Sequence, residues 1–115
     1  MSLKMGTREV KDIVIIGLSG QLTLGEACAA LRAEVLDAVG HGFRKILLNL
    51  AAVSYIDSAG LGELMSAYTS VKNRDGALKL LNLTKRVHDL MQITKLYTVF
   101  DVYDDERAAI ASFAS

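Results

Sequence analysis

The chain has no proline, no tryptophan and a single cysteine, and its 13 basic residues are balanced by 13 acidic ones. Each shortage closes off a class of protein. A lone Cys28 cannot form an internal disulfide or a cysteine-only metal site, and it fits a reducing, cytoplasmic setting. A formal net charge of zero gives no long-range field toward nucleic acid or an anionic membrane. The β-branched run Ile13–Ile16 is far short of the about 20 residues that span a bilayer. The N-terminus lacks the apolar core of a signal peptide. No nucleic-acid partner and no direct membrane insertion are therefore expected. Without proline, glycine is left to do nearly all the punctuation.

What is present suits one globular unit. A length of 115 residues with 51% hydrophobic and 23% charged residues supports a single packed core. Residues 1–115 are read as one domain. Met5 follows closely on Met1, so residues 1–5 are read as partly an expression leader and set aside from the fold argument.

Short apolar runs alternate with amphipathic ones. Thr7–Val10 is expected as an edge strand, Lys11-Asp12 as a turn, and Ile13–Leu18 as a strand buried on both faces, broken by Ser19-Gly20. Thr23-Leu24-Gly25-Glu26 fits a capping box, followed at helical spacing by Leu24, Cys28, Leu31, Val35 and Val39 and stopped by Gly40-His41-Gly42. Lys45–Leu50 is a second buried strand. Leu61, Leu64, Met65, Tyr68 and Val71 mark the next helix face, which ends at Asn73–Gly76. Ala77–Leu83 is a strand, Thr84 caps a helix through Val87, Leu90 and Met91, Val99–Tyr103 is a last strand, and Asp104-Asp105-Glu106 opens a final helix. The order β-β-α-β-α-β-α-β-α predicts an α/β fold: a mixed, mainly parallel sheet of about five strands with about four helices, Ile13–Leu18 and Lys45–Leu50 central.

Sites in open α/β sheets gather at the carboxyl ends of strands. Ser58 stands there, between the Lys45–Leu50 strand and the helix that follows. One reading is that Asp57 or Ser58 caps the helix and that Gly60 and Gly62 let it approach the sheet. The other is that an exposed hydroxyl at a helix start is a modification or anion site. A catalytic serine is disfavoured. Ile56 replaces the first glycine of Gly-x-Ser-x-Gly, His41 lies at the far end of the strand, roughly 20 Å away, and His88 reads as a surface residue. Gly60-Leu61-Gly62 lacks the spacing and lysine of a phosphate loop, and the two histidines and Cys28 form no metal spacing. Cys28 reads as core. Lys85, Arg86 and Lys95 read as a solvated helix face.

Lys45–Leu50, Val53 and Tyr55-Ile56-Asp57-Ser58-Ala59-Gly60-Leu61-Gly62 together resemble the STAS domain, and most closely the small anti-sigma factor antagonists. Weaker support comes from Leu18–Leu22, Val87–Leu96 and Phe100–Tyr103. The resemblance covers about Val10 to Phe113. It implies a partner-switching regulator rather than an enzyme. Such a protein binds an anti-sigma factor that is also a serine kinase. That kinase phosphorylates the serine after the aspartate, here Ser58, and a phosphatase reverses the step. Partner contacts would involve Gln21, Thr23, Tyr55, Asp57, Ser58, Ala59, Gly60, Leu61 and Gly62. The chain would need no cofactor or metal, since the kinase supplies ATP and magnesium, and would be a monomer when free. One departure stands out: Gly20-Gln21-Leu22-Thr23 is neutral where family members often read Gly-Glu-Leu-Asp. The resemblance also allows a subunit of a lipid-transport or scaffold assembly, which needs no phosphorylation.

Overall fold

The computed structural model describes residues 3–114. Five strands form one sheet in the order β1-β2-β3-β4-β5: β1 (Leu3–Val10), β2 (Ile13–Leu22), β3 (Lys45–Ile56), β4 (Ala77–Leu81) and β5 (Val102–Tyr103). The helices are α1 (Glu26–Gly40), α2 (Ser58–Lys72), α3 (Lys85–Thr94) and α4 (Glu106–Ser112), with a single 3₁₀ turn at Leu96–Thr98. β1 runs antiparallel to β2 across the Lys11-Asp12 turn, and every other neighbouring pair is parallel. The two runs expected at the centre, in β2 and β3, lie inside the sheet.

The apolar alternation of the strands decides which helix goes where. Ile16, Leu18, Ile46, Leu48, Leu50 and Leu80 turn to one face, where α1, α2 and α3 cover them with Leu31, Val35, Leu64, Val71, Val87 and Met91. Ile13, Ile15, Leu47 and Leu81 turn to the other, where α4 seats Ala109 and Phe113. Lys79 Nζ reaches the Ser112 carbonyl at 3.1 Å and fixes the end of α4 to the sheet.

Several boundaries differ from the sequence reading. Residues 3–5 extend β1, and Leu3 and Met5 pack against the core. Ser19-Gly20 does not break β2, which continues to Leu22, and β3 runs six residues beyond Leu50. The reason is two irregularities in the β2–β3 ladder, between Gly17/Ser19 and Gly20/Gln21. At each, β3 holds one residue more than β2, so the ladder resumes past Ser19-Gly20 and neither strand ends there. Side chains satisfy the displaced backbone there: Asn49 Oδ1 accepts from the Ala51 amide at 3.0 Å and the Ser54 hydroxyl donates to the Gly20 carbonyl at 3.1 Å. β4 stops at Leu81 rather than Leu83. β5 is confined to Val102–Tyr103, because the preceding residues wind into the 3₁₀ turn after Lys95 (φ 62°).

The Thr23 capping box does not form. α1 starts at Glu26, with Gly25 at the cap position and no side-chain cap bond, and Leu24 is 79% exposed instead of facing the core. Gly25 has φ 106°, a conformation that favours glycine, and it turns the chain sharply before the helix begins. The Thr84 cap does form, accepting from the Val87 amide, and Asp105, read from the sequence only as part of an acidic helix opening, caps α4 by accepting from the Ala108 amide.

Candidate functional site

β3 delivers Asp57 and Ser58 to the carboxyl edge of the sheet, and α2 starts there. Asp57 is the N-cap. Its Oδ1 accepts from the Gly60 amide at 2.8 Å and its Oδ2 from the Leu24 amide at 3.1 Å. The Gly60 bond, then the Leu24 bond, hold the Asp57 carboxyl below its ordinary range, so it is a fixed negative charge at neutral pH. Capping therefore falls to Asp57, and Ser58 is left exposed as the first helical residue, its hydroxyl taking no side-chain hydrogen bond among the described residues.

The glycines of the motif play different parts. Gly60 is buried, and a Cβ on it would overlap the Leu22 carbonyl oxygen and stand 2.7 Å from Ile56 Cγ1. Only glycine lets α2 approach the β2 end this closely. Gly62 is exposed with open space around it, so it does not bring helix and sheet together as expected. Leu61 is buried in the core and Ala59 packs against it.

The other residues marked in the sequence lie at the same edge. Gln21 pairs with Tyr55 and Leu22 with Ile56 in the ladder, while Thr23 is half-buried just beyond. The sequence reading missed two contacts. The Arg86 guanidinium stacks over the Tyr55 ring at 4.7 Å, so Arg86 is not simply part of a solvated face. Glu63, almost fully buried, takes a two-pronged bond from Arg32 (2.6 and 3.3 Å) that joins α1 to α2 just behind the site. Neither pair has a sequence-local signature, since each joins separate elements.

Among the described residues neither histidine is bonded to Ser58. His41 Nδ1 meets the Asp37 carbonyl at 2.8 Å, and His88 lies beside Gln92 and Asp89. Cys28 is buried on α1, and burial, then Glu63 and Asp57, push its thiol up, away from the reactive thiolate. Among the described residues no three His, Cys, Asp or Glu side chains gather to hold a metal ion, and no helix is long and apolar enough to cross a membrane. The arrangement offers a rigid, exposed hydroxyl beside a fixed carboxylate.

The sequence pattern of the STAS domain matches residues 4–109. The anti-sigma-B factor antagonist of Listeria monocytogenes is 36% identical over 106 residues, covering 92% of this chain and 91% of the relative. The anti-sigma-B factor antagonist of Bacillus subtilis is 28% identical over 102 residues, covering 89% and 92%. The crystal structure of a Thermotoga maritima protein, provisionally named an anti-sigma factor antagonist, superposes with a TM-score of 0.89 at 25% identity, covering 96% of this chain and 95% of the other.

Proposed function

Since the chain belongs to the STAS domain family, we propose that it is an anti-sigma factor antagonist whose partner is an anti-sigma factor with serine-kinase activity. The observation that carries the reading is Ser58: an exposed hydroxyl on the first residue of α2, at a helix start that Asp57 and Gly60 hold rigid. The unmodified edge around Gln21, Tyr55 and Ser58 binds the partner and so releases a sigma factor. The chain supplies only the acceptor. Ser58 Oγ attacks the γ-phosphorus of ATP held by the kinase, the bond to ADP breaks, and the hydroxyl proton leaves to a base of the kinase. A phosphatase returns the hydroxyl by hydrolysis. The free chain works as a monomer in the cytoplasm, with no cofactor of its own.

Charge explains why binding rather than folding would respond. Phosphate adds about −1.5 to −2 charge at neutral pH. At a helix N-terminus the dipole offsets part of the cost, typically about 0.3–1 kcal/mol. A partner closed over Ser58 gains no such relief, and desolvating a poorly matched charge costs several kcal/mol. About 2.8 kcal/mol is already a hundredfold in affinity.

The test is calorimetry with the anti-sigma factor of the host, after circular dichroism confirms every variant is folded. Ser58→Ala binds like the unmodified protein and is not phosphorylated by partner and ATP. Ser58→Asp and the phosphorylated protein lose binding at least about tenfold, phosphate the more strongly because it carries more charge. Equal binding of the phosphorylated and unmodified forms would overturn the switch and favour a scaffold or lipid-transport subunit.

A further inference from the structure

We infer that the groove between the end of β3 and α3 is a second docking element for the same protein partner, taking a segment in which a carboxylate lies near a large apolar side chain. The inference rests on the proposed binding at the Ser58 edge and extends it across Tyr55. The groove, of about 460 Å³, is lined by Tyr55, Ile56, Lys85, Arg86, Asp89, Leu90 and Ile93. Tyr55 is two residues ahead of the Asp57 cap, so one protein can cover both regions.

Three features identify the occupant. Arg86, Leu90 and Ile93 follow one another at helical spacing along one flank of α3, and Ile93 is 78% exposed, a large apolar side chain that the fold itself does not use. Lys85 is neutralised by Asp89 at 2.9 Å, whereas Arg86 has no carboxylate partner among the described residues. Contact with the Tyr55 ring, 4.7 Å from the guanidinium carbon, favours one placement of the side chain beside the groove, from which it can grip a carboxylate with two parallel hydrogen bonds. Tyrosine and arginine beside an apolar anchor are the residue types that dominate protein–protein binding energy. A nucleic acid or an anionic membrane would call for several free cations, and this groove has one on a chain of zero net charge.

The experiment uses the full chain and the host protein that it retains on a column, identified by mass spectrometry and then purified. Arg86→Glu and Ile93→Asp change exposed side chains, and circular dichroism confirms that both are folded. Each is expected to weaken binding of that purified partner by at least about tenfold, and Arg86→Glu to flatten the salt dependence of binding. Arg86→Lys keeps the charge but loses the fork, and falls in between. Wild-type affinity in both Arg86→Glu and Ile93→Asp overturns the groove while leaving the Ser58 reading intact. Loss in these two with full binding by the Ser58 phosphoprotein overturns the switch and keeps the groove. A column that retains nothing able to distinguish wild type from Arg86→Glu overturns it as well. So does binding of phosphatidylglycerol vesicles that Arg86→Glu abolishes, which would assign the cation to a membrane.

Discussion

The backbone amide of Leu24 donates to the Asp57 carboxylate at 3.1 Å, so one side chain ties the connection before α1 to the start of α2. Asp57 is thus more than an N-cap. It accepts from one backbone amide in the connection after β2 and from another in the first turn of α2, and both have to keep their places if the Ser58 edge is to present one shape.

Asp57→Ala is expected to lower the melting temperature by several degrees, because it leaves the Gly60 and Leu24 amides without their acceptor. Asp57→Asn keeps one carbonyl oxygen and should lose less. The pH dependence follows from the direction of the shift. The folded-state pKa of Asp57 lies below its unfolded value, so its stabilisation is complete above the ordinary carboxylate range and is lost as pH falls through the folded value. Asp12, bonded to Lys45, and Asp89, bonded to Lys85, are also held below the ordinary carboxylate range and act in the same direction. The comparison of wild type with Asp57→Asn in urea at pH 7, 5 and 3 isolates the contribution of Asp57. The gap should narrow at the lowest pH; a gap that stays constant would show that the carboxylate charge is irrelevant.

Gly60→Ala and Gly62→Ala should move stability in opposite directions. The Cβ at position 60 meets the Leu22 backbone, which cannot rotate away, so a loss of about 1–3 kcal/mol is expected, the usual cost of overpacking. At position 62 the added methyl enters open space on a helix, where alanine is favoured over glycine by up to about 1 kcal/mol. Urea unfolding of the two variants reads both signs in one experiment.

Thr84→Ala should cost about 1 kcal/mol, since the Thr84 hydroxyl accepts from the Val87 amide at the start of α3. Thr23→Ala should stay within about 0.5 kcal/mol, because Thr23 caps nothing. The pair separates a cap suggested by the sequence alone from one made in the fold, and a large loss at Thr23 would contradict the Gly25 start of α1.

This contrast marks how far the sequence was legible. Ile13–Leu18 and Lys45–Leu50 could be placed at the centre because a run with apolar residues on both faces has no solvent face to offer. Thr84 could be read as a cap because its hydroxyl serves an amide three residues away. Thr23 offers the same kind of acceptor, but its connection is held from outside: Asp57, 33 residues on from Leu24, takes the Leu24 amide. The strand ends at Leu22 and Ile56 were hidden for a related reason. Ser19, Gly20 and Gln21 look like breakers until the bulges in β3 let each pair across the ladder, with Ser54 left as the extra residue of one bulge and bonded to the Gly20 carbonyl. At the site itself, Asp57 and Ser58 stood out by their position between strand and helix, while Arg86 over Tyr55 depends on how α3 settles against the sheet.

Phosphorylation of Ser58 should leave the fold nearly as stable as before, and the balance behind that can be taken apart. The phosphate sits over the first turn of α2, where the helix dipole contributes about 0.3–1 kcal/mol in its favour. Asp57 opposes it, being ionised and adjacent in sequence, with both oxygens fixed by backbone amides. In Asp57→Asn the repulsion is removed and the dipole term stays, so phosphorylation should stabilise that variant even if it slightly destabilises the wild type. The second phosphate pKa is about 6, so the effect should grow between pH 5.5 and 7.5 as the second charge appears. Urea unfolding of four proteins, wild type and Asp57→Asn, each with and without phosphate, at those two pH values measures the coupling as a double-mutant cycle. Identical phosphorylation effects in both backgrounds would mean that the Asp57 charge does not reach the phosphate. An unfolded phosphoprotein would mean that the switch acts on the fold and not on the partner-binding edge.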